Sequence, residues 1–272
     1  MGIKNFIISL LSATAAIIPI ACRADNKYID INNLYACEVK SVDEFISRFN
    51  GIETHPEIPN DSLSRVSNLF ALFNHQEIFD TQKPELPVAM AKEFCDSVIA
   101  HNVTLSLTNG SMIAECPAMF QYKNKKYTLT LLLQQVVTDN GYVRWSISGV
   151  KGLETIIPQI ESWRFTGISP VEHEIYFMGL SDYIPAGDAW SVKHPSSQPD
   201  QLSIFLTLAD SGALKLIQIK DETIHCIGVP GFVFTIHESP AQSNNSGWLM
   251  NRLERMTSSQ KADYITNLFH KL

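Results

Sequence analysis

The stretch Lys126–Gly152, KYTLTLLLQQVVTDNGYVRWSISGVKG, leaves a folding chain few choices. Tyr127–Val137 is apolar and β-branched, with polar residues at Thr128, Thr130, Gln134 and Gln135. Tyr142–Val150 alternates, with Val143, Trp145 and Ile147 on one face and Tyr142, Arg144 and Ser146 on the other. Alternation with a period of two means one buried and one wetter face of a β-strand. Asp139-Asn140-Gly141 lies between the two runs, and Asn-Gly tolerates the positive φ that a tight hairpin turn demands. The expectation is a long hairpin. Leu129–Leu133 is apolar on both faces, which a curved sheet wrapped around a helix would satisfy.

The segments before this hairpin have a helical period. Ser41-Val42-Asp43-Glu44 is a capping box, in which the Ser hydroxyl takes a free backbone N–H and Glu reaches back. Phe45, Ile46 and Phe49 then share a face, and Asn50-Gly51 ends the helix. Leu63, Val66, Phe70 and Phe73 mark a second helix. Pro87, Val88, Ala91, Phe94, Cys95, Val98 and Ile99 mark a third. From Val103 the period becomes two, predicting a strand over Val103–Thr108, a turn at Asn109-Gly110 and a return strand over Ser111–Tyr122. Pro117 suggests an edge or bulge in that strand.

Residues 40–152 therefore read as three helices followed by a curved antiparallel sheet. That order, with the opening helix Ser41–Gly51 and the closing strand Tyr142-Val143-Arg144-Trp145-Ser146-Ile147, resembles the nuclear-transport-factor-2-like (cystatin-like cone) superfamily. The resemblance implies a sheet folded into a cone around helices. It leaves function open, since that family holds both enzymes and binding modules. No set of Asp, His and Tyr residues matches the family's catalytic cone. In style the chain also resembles exported proteins of gut-type bacteria.

Residues 153–272 read as a second, smaller α+β unit, either a diverged duplication of the first or unrelated to it. Leu153–Gly167 is the connector. Ser169-Pro170-Val171-Glu172 is another capping box, opening a helix to about Ile184. Leu202–Leu208, Leu214–Lys220, Ile224–Ile227 and Phe232–His237 read as four short strands of a meander. Trp248–Met256 and a helix capped at Thr257, with Tyr264, Ile265, Leu268 and Phe269, give this unit C-terminal helices.

The N-terminus carries an address. Lys4 is followed by the uncharged apolar run Phe6–Ala21 and then Cys22-Arg23-Ala24. A short positive region, an apolar core and small residues describe an export signal over 1–24. The run is too short to span a bilayer comfortably. Residues 25–39 follow as a leader or tether. Ile20-Ala21-Cys22 resembles the lipobox of bacterial lipoproteins, although Pro19 departs from the aliphatic residue usual there. Lipidation at Cys22 and cleavage after Ala24 both fit. The location implied is the periplasm or cell envelope of a bacterium, or the outer membrane if Cys22 carries lipid. Cys37, Cys95, Cys116 and Cys226 remain, an even number that permits disulfides in an exported chain, though Cys95 and Cys116 sit in apolar patterns that suit buried thiols.

Little here points to chemistry. The net charge of −7 and the lack of a basic cluster argue against a nucleic-acid partner. His173-Glu174 lacks the second His that a zinc helix needs, because Phe177 holds that position. His225, Cys226 and His237 lie on neighbouring strands, but metal ligation needs three or four converging donors. No serine elbow or phosphate loop occurs. The expectation is no catalytic residue, no metal and no cofactor. Glu115, Gln134, Tyr142 and Arg144 are the candidates to line a cone. Pointing inward they would orient a small ligand; pointing outward they are sheet surface, the reading favoured by Arg144 standing opposite Trp145.

Three functions remain. The first is an exported or lipid-anchored, non-enzymatic binding protein for a small molecule or a protein, touching membrane only through an N-terminal lipid. The second is a small-molecule hydrolase or isomerase-like enzyme with its pocket in the first domain. The third is a structural subunit that assembles through an exposed sheet face.

Overall fold

A computed structural model describes residues 37–52, 62–75, 85–162, 164–166, 184, 189–197, 199–239 and 245–270. The export signal, Cys22, the Ser169 capping box and the His173-Glu174 pair lie outside the described residues. In chain order the elements are β1 (Cys37–Val39), α1 (Val42–Phe49), α2 (Ser62–Ala71), α3 (Glu85–Ala100), β2 (Met112–Tyr122), β3 (Lys125–Val137), β4 (Val143–Lys151), α4 (Gln159–Ser162), α5 (Gln201–Asp210), β5 (Leu214–Ile219), β6 (Thr223–Cys226), β7 (Phe232–Ser239), β8 (Asn245–Arg255) and α6 (Ser258–His270). The fold is mixed α+β. One eight-stranded, mostly antiparallel sheet has the order β1-β8-β7-β6-β2-β3-β4, with β5 on β2.

That order corrects the expected pair of separate sheets. Among the described residues three helices precede β2–β4, but a strand precedes those helices, and strands from both halves of the chain join one sheet, so the expected order of helices first and sheet afterwards does not hold. The second meander is β6-β7-β8, because β5 pairs with β2 instead of β6. Trp248–Met256 is largely strand β8, so a single C-terminal helix closes the chain.

The chain forms two compact units. One holds residues up to Ala114, Gln134–Ser146 and Glu222–Thr266; the other holds Glu115–Leu133, Ile147–Asp221 and the residues from Asn267 on.

The first unit is organised by phenylalanine. Ser41 Oγ accepts the Glu44 N–H at 3.2 Å, while Glu44 takes the Lys40 N–H at 2.7 Å instead of that of Ser41. The cap starts α1, whose period presents Phe45 and Phe49 inward. They meet Phe234 of β7 with ring centroids 6.3 and 6.0 Å away. Phe94 of α3 stands edge-on to Phe232, Phe234 and Phe73 at 5.5, 5.4 and 5.9 Å. Edge-on and offset arrangements suit the ring quadrupole. All these rings are buried, and each is worth about 1.5–3 kcal/mol in transfer from water.

Asparagine side chains finish the backbone pairing. Val103–Thr108, expected as a strand, is irregular. Leu105 donates its N–H to Asn50 Oδ1 and accepts from Asn50 Nδ2, both at 2.8 Å. One amide from the end of α1 thus satisfies both backbone groups that a partner strand would have taken. At the β8 side, Asn245 Nδ2 donates to Ala71 O and Phe73 O. Asn74 N–H donates to Met250 O, and Met250 N–H to Leu72 O, each at 2.7 Å.

Strand β1 runs parallel to β8, with Val39 opposite Gly247. Val39 is fully buried. Gly247 has φ +84°, and a Cβ there would overlap the Val39 carbonyl. Glycine is required by backbone conformation and by space.

In the second unit, Lys123 and Asn124 both have positive φ, the signature of a two-residue turn between β2 and β3. Leu202–Leu208, expected as a strand, is helix α5. Asp200 caps it by accepting the Leu202 N–H at 3.1 Å and the Ser203 hydroxyl. Phe205 of α5 then stands edge-on to Phe120 of β2 at 5.6 Å. Pro117 O accepts the Lys220 N–H at 2.8 Å, and the β2–β5 register shifts between Met119 and Phe120. The proline therefore sits beside an irregularity, as its missing N–H requires.

Replacing Gly247 by Ala combines a φ penalty with a backbone collision, so the loss of stability should exceed the ~1–3 kcal/mol of ordinary overpacking. Denaturant titration would read it as a lower midpoint. An unchanged midpoint would mean that β1 does not pack on β8.

Candidate functional site

The residues that stand out are at the end of the β3–β4 hairpin, within the first unit. The turn closes as the sequence leads one to expect. Thr138 N–H and Oγ1–H both donate to Tyr142 O, at 2.8 and 3.0 Å, and Gly141 N–H donates to Thr138 O at 2.8 Å. Only Gly141 takes a positive φ, +78°, so the loop Asp139-Asn140-Gly141 ends in a left-handed glycine.

Both faces of this end are apolar and open. Tyr142 is 62% exposed, Trp145 37%, Val136 48% and Val137 49%. Trp145 was expected on a buried face. Its alternation with Arg144 holds, but at this end of the hairpin neither face is covered. The Arg144 guanidinium lies 5.4 Å from the centre of the Tyr142 ring, and its Nη1 donates to Val143 O at 3.1 Å. Stacking on Tyr142 and the bond to Val143 hold the long side chain against the strand, so less rotamer freedom remains to be lost on binding.

Of the four residues proposed to line a cone, the structure brings together Tyr142 and Arg144, on the surface. Gln134 is half-buried further along β3. Glu115 belongs to the other unit, where it forms a partly buried ion pair with Lys151. The valines were missed as site residues because an apolar strand end reads as core unless the extent of its cover is known.

Other chemical groups serve packing. His225 and His237 share a sheet face two residue pairs apart, since His225 pairs with Thr235 and His237 with Thr223. Cys226 faces the other way, opposite Phe234. His225 Nδ1 and Tyr264 Oη share a hydrogen bond of 2.6 Å. Burial pushes the Cys226 thiol up, away from the reactive thiolate. Cys95, Cys116 and Cys226 are buried and none is in a disulfide. Lys261 donates to Ile227 O and Val229 O, and burial lowers its pKa. Among the described residues no group of three His, Cys, Asp or Glu is placed to hold a metal ion, and no helix is long and apolar enough to cross a membrane.

Comparison with protein-family models, with curated proteins and with solved structures finds no match.

His75 carries a pH dependence. Its Nε2–H donates to Phe70 O at 3.2 Å. Burial lowers its pKa, opposed in part by that bond. The unfolded chain then binds the proton more readily, so this contribution to stability is present above the ordinary His value of about 6.5 and lost as pH falls. His75→Gln, which keeps a donor and cannot charge, should flatten the acid-side fall in the denaturant midpoint. An identical fall in both proteins would contradict the assignment.

Proposed function

We propose that this chain is a non-enzymatic binding protein, exported on residues 1–24, that engages a partner protein through the exposed end of the β3–β4 hairpin. The supporting observation is the cluster Val136, Val137, Tyr142 and Trp145 with Arg144 laid on Tyr142. Tyr, Trp and Arg are the side chains that carry most energy at protein interfaces. Leaving them in water gains a monomer nothing, and large apolar side chains exposed on both faces of one strand end are open to a partner. The strand-and-turn framework holds the side chains in place before binding, which lowers the entropy lost on association. In this proposal a lipid on Cys22, or release after Ala24, decides whether the surface works at a membrane or free in the periplasm.

A second reading, assembly with copies of the same chain, is favoured by a different observation. Strand β5 exposes Leu216, Ile217 and Ile219, and among the described residues it pairs only with β2.

One experiment separates the two. A photo-reactive amino acid is placed at Trp145 in one variant and at Ile217 in another, and each is expressed in the producing cell. The proposal expects an adduct with a different protein from position 145, lost when Tyr142→Ser is added. Self-adducts from position 217 alone would favour assembly. Adducts from neither position would remove both readings.

A further inference from the structure

The chain contains three Asn-Gly pairs, at Asn50-Gly51, Asn109-Gly110 and Asn140-Gly141. Such a pair can convert itself without an enzyme. The glycine backbone nitrogen gives up its proton to solvent and attacks Cγ of the asparagine. The Cγ–Nδ2 bond breaks, ammonia leaves and a succinimide forms. Water then opens the ring at either carbonyl, giving aspartate or isoaspartate. The requirements are a glycine nitrogen able to turn toward the side chain, an electrophilic Cγ and room for the ring.

The fold treats the three pairs differently. The Gly51 N–H donates to Arg48 O at 3.0 Å, and the Gly141 N–H donates to Thr138 O at 2.8 Å. Asn50 is also tied through both side-chain atoms to Leu105. By contrast, the Gly110 N–H has no hydrogen-bond partner among the described residues, and a Cβ on Gly110 would have open space, as it would on Gly141, whereas one on Gly51 would meet the Arg65 guanidinium. Asn109 Oδ1 meanwhile accepts two hydrogen bonds, from Ser111 N–H at 3.1 Å and from Ser111 Oγ–H. Two donors on a carbonyl oxygen draw charge from its carbon and stabilise the oxyanion that forms on attack.

We infer that Asn109-Gly110 is a spontaneous modification site of the folded protein, the one of its three Asn-Gly pairs where the fold leaves the glycine nitrogen free to react and activates the asparagine carbonyl. The consequence reaches the sheet. An aspartate at 109 can keep accepting from Ser111, whereas isoaspartate lengthens the main chain and moves the carboxylate. Ser111 O in turn accepts the Ile227 N–H at 3.0 Å, at the junction of β2 with β6. Isoaspartate at 109 therefore loosens that junction.

The test is to incubate the full-length protein at mildly alkaline pH and follow the three sites by peptide mapping and mass spectrometry, folded and in denaturant. Breaking one hydrogen bond first should slow the other two pairs, so in the folded protein Asn109 is expected to react roughly five-fold faster than either. In denaturant the three rates should converge. Asn50 or Asn140 reacting as fast as Asn109 in the folded protein would overturn the inference. So would a preference for Asn109 that persists unchanged in denaturant, because sequence alone would then set it. Ser111→Ala, which keeps the backbone donor, should slow Asn109 and leave Asn140 unaffected. An unchanged Asn109 rate would remove the role given to the hydroxyl.

Discussion

The phenylalanine cluster between α1, α3 and β7 is the contact on which the first unit depends. Phe45, Phe49 and Phe94 approach Phe232 and Phe234 from the helices. None of these side chains has a polar atom, so their positions follow from shape and the exclusion of water. Once they meet, β7 is fixed against the helices, and β8 and β6 follow by pairing with it. Phe70 of α2 and Phe73 just beyond its end then bring Leu72–Asn74 against Met250.

Polar side chains then close what the apolar core leaves open. Asn50, Asn74 and Asn245 each bond backbone or side-chain groups far away in the chain. Each does in a loop or at an edge what a neighbouring strand does in the sheet. The hairpin end shows the opposite condition. There the apolar residues outrun their cover and remain exposed.

Local signals were legible in the sequence and remote ones were not. The caps at Ser41 and Thr257 were visible because a hydroxyl and an acceptor three residues on determine a helix start by themselves; Thr257 and Gln260 exchange both bonds. The β3–β4 hairpin was visible for the same reason. Val103–Leu107 misled because its alternation suits a strand, while the group that satisfies Leu105 is 55 residues away. Leu202–Leu208 misled because apolar residues fall on nearly every position. Asp200 followed by Ser203 was the overlooked helix start. Sheet order was beyond reach, since neighbours such as β1 and β8 come from opposite ends of the chain. In the candidate site, Tyr142 and Arg144 were found from strand register, and the exposure of Val136, Val137 and Trp145 was not.

If the aromatic contact governs the first unit, the strands nearest to it should open last. Residue-resolved native-state hydrogen exchange measures this directly. The amides of Phe234, Ile236 and Leu253 should exchange only with global unfolding, while those of β5, exposed along Leu216–Ile219, exchange through local opening. Fast exchange at Phe234, equal to that of β5, would contradict it.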